Sequence, residues 1–237
     1  MEYRQLSKYA DKESIIHRMD ARAKIVCALI FVLAVVSIPT KGAGYVPFMT
    51  YFILLSAVIL SASLPISYVL KRSMAVAPFI IIPAAAILFV SDGVTVFAVV
   101  FAKSWLSSLA MITLVSTTRQ ADILSGLRAI GVPAIIVTTV SFMYRYLAVL
   151  IDELDGMKTA RDARSSHGSL RWHMITAGSI IGSLFIRSYG RAERIYAAML
   201  ARGYDGTMKA ASKFRMTSTD AVLAAVFLAT VTMIRVS

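Results

Sequence analysis

Along the chain, hydrophobic positions gather into seven blocks: Ala23 to Ile38, Tyr45 to Ser63, Met74 to Val90, Val94 to Val115, Val132 to Ile151, Met174 to Ile186 and Ala221 to Ile234. Tyr45 to Ser63 and Met74 to Val90 contain no charged residue. Uncharged apolar runs of about 17–25 residues are long enough to cross the roughly 30 Å hydrocarbon layer as helices. Such helices satisfy their own backbone hydrogen bonds, which lipid cannot do for them. Ser37-Ile-Pro-Thr-Lys-Gly42, Leu64-Pro65 and Ser91-Asp-Gly93 read as tight turns. The first four blocks therefore predict a compact bundle of spanning helices.

From Ser116 to Arg215 charges return every few positions while the apolar periodicity persists. Thr117 to Asp122 reads as a helix start and Gly131-Val-Pro133 as its stop. Two longer amphipathic helices are predicted, from about Ala134 to Arg164 and from about Trp172 to Arg202, parted by a polar turn at Ser165 to Ser169. Thr217-Ser-Thr-Asp220 is a cap for the last block. The predicted class is an all-α polytopic membrane protein with about five spanning helices. It divides into an N-terminal transmembrane bundle (1–116), a cytoplasmic or interfacial coupling-helix segment (117–215) and a C-terminal transmembrane helix (216–237).

Charge sets the orientation. Of 25 Lys and Arg, 22 lie in the tail to Lys24, at Lys71 and Arg72 in the second connector, or between Ser116 and Arg215. Retention of basic residues in the cytoplasm then puts the N-terminus and the whole 117–215 segment inside, in a cell membrane crossed several times. A transmembrane hairpin of Val132–Ile151 and Met174–Ile186 would export Lys158, Arg161, Arg164 and Arg171 and bury Arg145, and Met174–Ile186 is short for a span. Both segments are therefore expected along or beneath the cytoplasmic face, with six or seven spans as the alternative. The net charge of +12 follows from the same retention and does not call for nucleic acid. The first 22 residues are polar and do not read as a cleaved signal peptide.

Candidate chemistry is sparse. No phosphate-binding Gly-x-x-x-x-Gly-Lys-Ser/Thr loop is present. His17, His167 and His173 are scattered without acids at ligand spacing, so neither a metal site nor a cofactor is expected. Cys27 is a lone packing residue, and Lys103, deep in an apolar block, reads as a structural pairing or snorkelling group. Ala84-Ala-Ala86, Gly178 and Gly182 would permit close helix approach. Arg187, Arg191, Arg194 and Arg202 fall within one arc of about 80° on their helix, a supporting basic face. Ala201-Arg202-Gly203 ends that helix with Gly203 at the left-handed C′ position, and Ala163-Arg164-Ser165 ends the preceding one similarly. A guanidinium at each tip can take a partner's carboxylate.

The ordered set of motifs resembles the T component of energy-coupling-factor (ECF) transporters, the EcfT family, and most of all its CbiQ-type cobalt members. The resemblance is carried by His17-Arg-Met-Asp-Ala-Arg-Ala-Lys24, Ser116-Thr-Thr-Arg-Gln-Ala-Asp122 with Leu127-Arg-Ala-Ile-Gly-Val-Pro133, Phe142-Met-Tyr-Arg-Tyr146 through Ala163-Arg164-Ser165, and Arg191-Ala-Glu-Arg194 through Ala201-Arg202-Gly203-Tyr204. Ser165 stands where the family's first motif has Gly. The resemblance implies a non-catalytic membrane scaffold whose two motif-bearing helices dock on two ABC-type ATPase subunits and which grips a small substrate-binding membrane subunit. Arg164 and Arg202 would be the coupling contacts, and cobalt or nickel the cargo. The alternative is a self-sufficient secondary transporter, or a permease of another ABC class. Internal repeats and midplane ionisable sites, the marks of a secondary transporter, are not seen apart from Lys103.

Overall fold

A computed structural model describes residues 16, 19–39, 45–85, 93–164, 169–206 and 218–236. Among these, the secondary structure consists of eight helices and no strand: α1 (Ala21–Val36), α2 (Tyr45–Ser61), α3 (Ile66–Ala85), α4 (Gly93–Thr117), α5 (Gln120–Ile130), α6 (Ala134–Arg164), α7 (Leu170–Ala201) and α8 (Ser218–Val236). The chain forms two compact units, 1–130 together with 212–237, and 131–211.

In the first unit, α4 packs on α1, α2 and α3, and α8 packs on α1 and α2. Phe31, Val35, Tyr51, Leu55, Leu106, Leu109 and Val231 form the buried centre. The Phe31 and Tyr51 rings meet edge to face, 5.6 Å apart. The Tyr51 hydroxyl donates to the Val231 carbonyl at 3.3 Å, which gives its one polar atom a partner inside the bundle. Elsewhere large apolar side chains point outward, among them Val46, Phe79, Ile82, Val94 and Met233. Such an apolar exterior suits lipid and not water. The class is the predicted one, an all-α polytopic membrane protein.

Helix ends follow the sequence signals. Asp20 caps α1, accepting from the Arg22 backbone N–H at 2.9 Å. The Leu64-Pro65 turn closes through Ser63 at φ +52°. Gly131 at φ +113° ends α5, ahead of Pro133. One boundary differs: α3 starts at Ile66, so Lys71 and Arg72 lie inside a helix and not in a connector. Their charge hides the helix start from an apolar-block reading. The Ser165–Gly168 part of the predicted turn, Thr217, and His17 lie outside the described residues, as does His167 within that turn.

Two long-range lysine contacts brace the first unit. Lys103 Nζ donates to the carbonyls of Val36, at 3.1 Å, and of Ile38, so it caps the C-terminal end of α1. Lys24 Nζ donates to the Thr117 carbonyl at 3.2 Å and so caps the end of α4. α5, part of the segment read as coupling helices, packs on α1. Its Gly126 is buried there, and a Cβ at that position would sit 2.9 Å from Ile25 Cδ1 and 3.5 Å from Ala21. Gly178 and Gly182 have nothing within 4 Å of a built Cβ. Of these three glycines, Gly126 makes a close approach to another helix.

By length and composition, α4 and α6 are the two described helices able to cross a membrane. Val46–Ser61 and Val222–Met233 are shorter apolar helices. α6 qualifies although the distribution of Lys and Arg places it on the cytoplasmic side. Its apolar residues crowd the first half, and Asp152, Glu153, Asp155, Lys158, Arg161, Asp162 and Arg164 crowd the second.

Candidate coupling surface on the two longest helices

The second unit contains α6 and α7, of 31 and 32 residues, packed on each other. Ser169 opens α7 by accepting the Trp172 backbone N–H on its hydroxyl at 3.3 Å, which satisfies one of the donors every helix start leaves open. The Trp172 ring stands edge-on to His173, 5.0 Å away, so this histidine is a packing neighbour of an aromatic. Among the described residues no group of His, Cys, Asp or Glu is placed to hold a metal ion.

The C-terminal end of α7 is a Schellman turn. The Tyr204 N–H donates to the Met199 carbonyl at 3.0 Å and the Gly203 N–H to the Leu200 carbonyl at 2.9 Å. This is the pairing that closes a helix through a left-handed C′ residue. Gly203 supplies that conformation at φ +77°. Arg202 is the capping residue, at φ −95° and ψ 9°. The carbonyls around it are therefore occupied by backbone donors, and its guanidinium is left for other partners. Ala201, Arg202 and Gly203 are all exposed, as are Ala163 and Arg164 at the end of α6. Ser165 lies outside the described residues.

The predicted basic face of α7 divides. Arg191 Nη2 reaches Glu153 Oε2 at 2.8 Å, and Arg187 Nη1 reaches Glu153 Oε1 at 3.3 Å. One carboxylate from α6 thus holds two guanidiniums from α7, and its side chain is only 17% exposed. Charge-assisted contacts of this kind are stronger than neutral hydrogen bonds. Arg187 and Arg191 are paired within the chain although Arg187 stays exposed, whereas Arg194 is exposed and outside that pairing. Nearer the tip of α6, Arg161 pairs with its neighbour Asp162 at 2.7 Å and Lys158 with Asp155 at 3.3 Å. Among the described residues, Arg164, Arg194 and Arg202 have no acidic partner. Sequence periodicity found the arginines but missed Glu153, which lies 34 and 38 positions from the residues it binds.

Neither helix has much of a core of its own. α7 has no buried residue, and α6 only Val137 and Thr138. Leu170, Met174, Ile175, Ile181, Phe185 and Ile186 are all exposed on α7. A long amphipathic helix that exposes so much apolar surface is a docking element or lies at a lipid interface.

Comparison with known proteins bears on this arrangement. A family model described as "Cobalt transport protein", CbiQ, matches residues 12–214. The chain is similar to the cobalt transport protein CbiQ of Rhodobacter capsulatus, 35% identical over 99 residues; the aligned stretch covers 42% of this chain and 41% of that relative's length. It is similar over more of its length to the energy-coupling factor transporter transmembrane protein EcfT of Brevibacillus brevis, at 28% identity over 85% of this chain and 84% of that one. EcfT of Listeria innocua is 26% identical over 91% of this chain and 90% of its own. With the family match spanning both units and reaching past the tip of α7, the chain belongs to the CbiQ family of cobalt transport proteins.

Proposed function

We propose that this chain is the transmembrane coupling (T) subunit of an ATP-driven ECF-type importer for cobalt or nickel ions. It links two ABC-type ATPase subunits to a small substrate-binding membrane subunit and leaves ATP hydrolysis to the former. The observation that carries the reading is the division among the arginines. Arg187 and Arg191 are both paired with Glu153 within the α6–α7 unit, while Arg164 and Arg202 stand exposed at two helix ends without an acid of the described chain beside them. Cations at helix C-termini also meet the negative end of the helix dipole, so a partner's carboxylate must compete only with water for them. The names of the relatives, as cobalt transport and energy-coupling proteins, support the same reading.

In this account the N-terminus and both units' basic segments face the cytoplasm. α6 lies at the cytoplasmic face in spite of its composition. Crossing the bilayer would put Arg145 within the lipid and carry Glu153, Arg164 and the paired arginines of α7 to the opposite side. Selectivity for the ion belongs to the separate substrate-binding subunit, because cobalt and nickel favour imidazole-rich sites and the three histidines of this chain, His17, His167 and His173, are scattered.

Affinity purification of the chain in mild detergent tests the reading. Two ATPase polypeptides and a small membrane protein should co-purify, and the chain alone should bind no cobalt stoichiometrically. A chain that purifies alone and carries cobalt across liposomes without ATP would replace this reading with a self-sufficient transporter.

A further inference from the structure

The two arginine tips lie the same number of residues from the Glu153 ion pair. Eleven residues separate Glu153 from Arg164 on α6, and eleven separate Arg191 from Arg202 on α7. At about 1.5 Å per residue each arm is roughly 16.5 Å long. Eleven residues are also three turns plus about 20°, so each tip lies on nearly the same face of its helix as its member of the ion pair. Both arms run outward from the pair in the N-to-C direction, and both end in Ala-Arg. The two arms are therefore matched in length and in the turn each makes about its own helix, although the two sequences differ.

We propose that Glu153 is a positioning residue that sets the separation and relative aim of Arg164 and Arg202, so that both tips engage two equivalent acidic grooves related by a two-fold axis. This rests on the docking reading given above. Arg187, one turn before Arg191, takes the second oxygen of the same carboxylate and braces the contact against rotation. Arg191 Nη1 is buried with no hydrogen-bond partner of its own, so loss of Glu153 takes away the acid that holds this guanidinium at the contact. Two tethered tips bind together far more strongly than separately only if their spacing matches the two sites. Glu153 thus acts on coupling without touching a partner.

The test is a distance measured in the isolated chain. Nitroxides are placed by Ala163→Cys and Ala201→Cys in a Cys27→Ala background, in lipid nanodiscs, and read by pulsed electron resonance. Arms of this length allow a backbone separation of no more than about 35 Å, and one narrow distribution is expected. Glu153→Gln, which keeps the shape and removes the charge, should broaden it. Glu153→Arg and Arg191→Glu should each broaden it, and the two together should narrow it again. In the assembled transporter Glu153→Gln should keep ATP hydrolysis and lower uptake per ATP several-fold, and the charge-swapped pair should recover it. Identical distributions in wild type and Glu153→Gln, or a charge-swapped pair of native helicity that stays broad, would overturn the proposal. A failure of the docking reading looks different: the distances respond as stated, and no ATPase is captured.

Discussion

Replacing Gly203 by Asn, Ala and Val changes the aim of Arg202 while leaving the arginine in place. Gly203 sits at φ +77°, and nothing lies within 4 Å of a built Cβ, so the cost of a side chain there is conformational and not steric against neighbours. A left-handed conformation costs an ordinary L-residue about 1–2 kcal/mol, which is roughly a 5–30-fold change in an equilibrium. Asn tolerates it best, and a β-branched residue worst. Because the position is exposed and follows the capping residue Arg202, the cost falls on the final turn and not on the bundle. Affinity of the nanodisc-embedded chain for the ATPase dimer should fall in the order Gly, Asn, Ala, Val, with melting temperature unchanged. Equal affinity across the series would refute the idea that the Schellman turn aims Arg202. So would a loss in the Asn variant as large as that in the Val variant.

Lys103→Met removes the donor to the Val36 and Ile38 carbonyls and should cost about 1 kcal/mol, or roughly 2–4 °C of melting temperature in detergent; an unchanged melting temperature would show the contact to be idle. Gly126→Leu must displace Ile25 and should destabilise by about 1–3 kcal/mol, whereas Gly182→Ala, with open space around it, should leave stability unchanged or raise it by up to about 1 kcal/mol; the reverse order in thermal denaturation would contradict the packing described. Single cysteines at Thr40 and Ser169 in a Cys27→Ala background should report topology: an impermeant thiol reagent added outside should label position 40 alone, and outside labelling of 169 would mean that α6 crosses the bilayer.

Much of the chain was legible in its sequence because helix ends are local chemistry. Gly203 and Gly131 were readable as helix stops since few residues other than Gly take φ near +77° or +113° at low cost, and both helices end there. Lys103 was readable as a structural group because an isolated ammonium in an apolar block must find acceptors, and it finds the carbonyls at the end of α1. Long-range pairings were not legible. Helical periodicity puts Arg187 and Arg191 on one arc, but it carries no information about an acid on another helix, so a basic face was read where half is an ion pair. The small residues are a second case. Gly126, Gly178 and Gly182 look alike in sequence, and only the neighbouring helix decides that Gly126 alone of the three is in close contact. The charged start of α3 was read as a connector because Lys71 and Arg72 interrupt the apolar run without interrupting the backbone.

Coupling through the two helix tips is most directly tested by ATP-driven ion uptake in liposomes that hold the whole transporter. The wild-type chain is compared with one carrying Arg164→Glu and Arg202→Glu. An interfacial Arg–carboxylate contact costs about 2–5 kcal/mol when one partner is truncated, and reversing its charge adds repulsion, so the double variant should insert normally, bind the ATPases weakly and transport no ion above background. Uptake by the double variant at the wild-type rate would contradict the account.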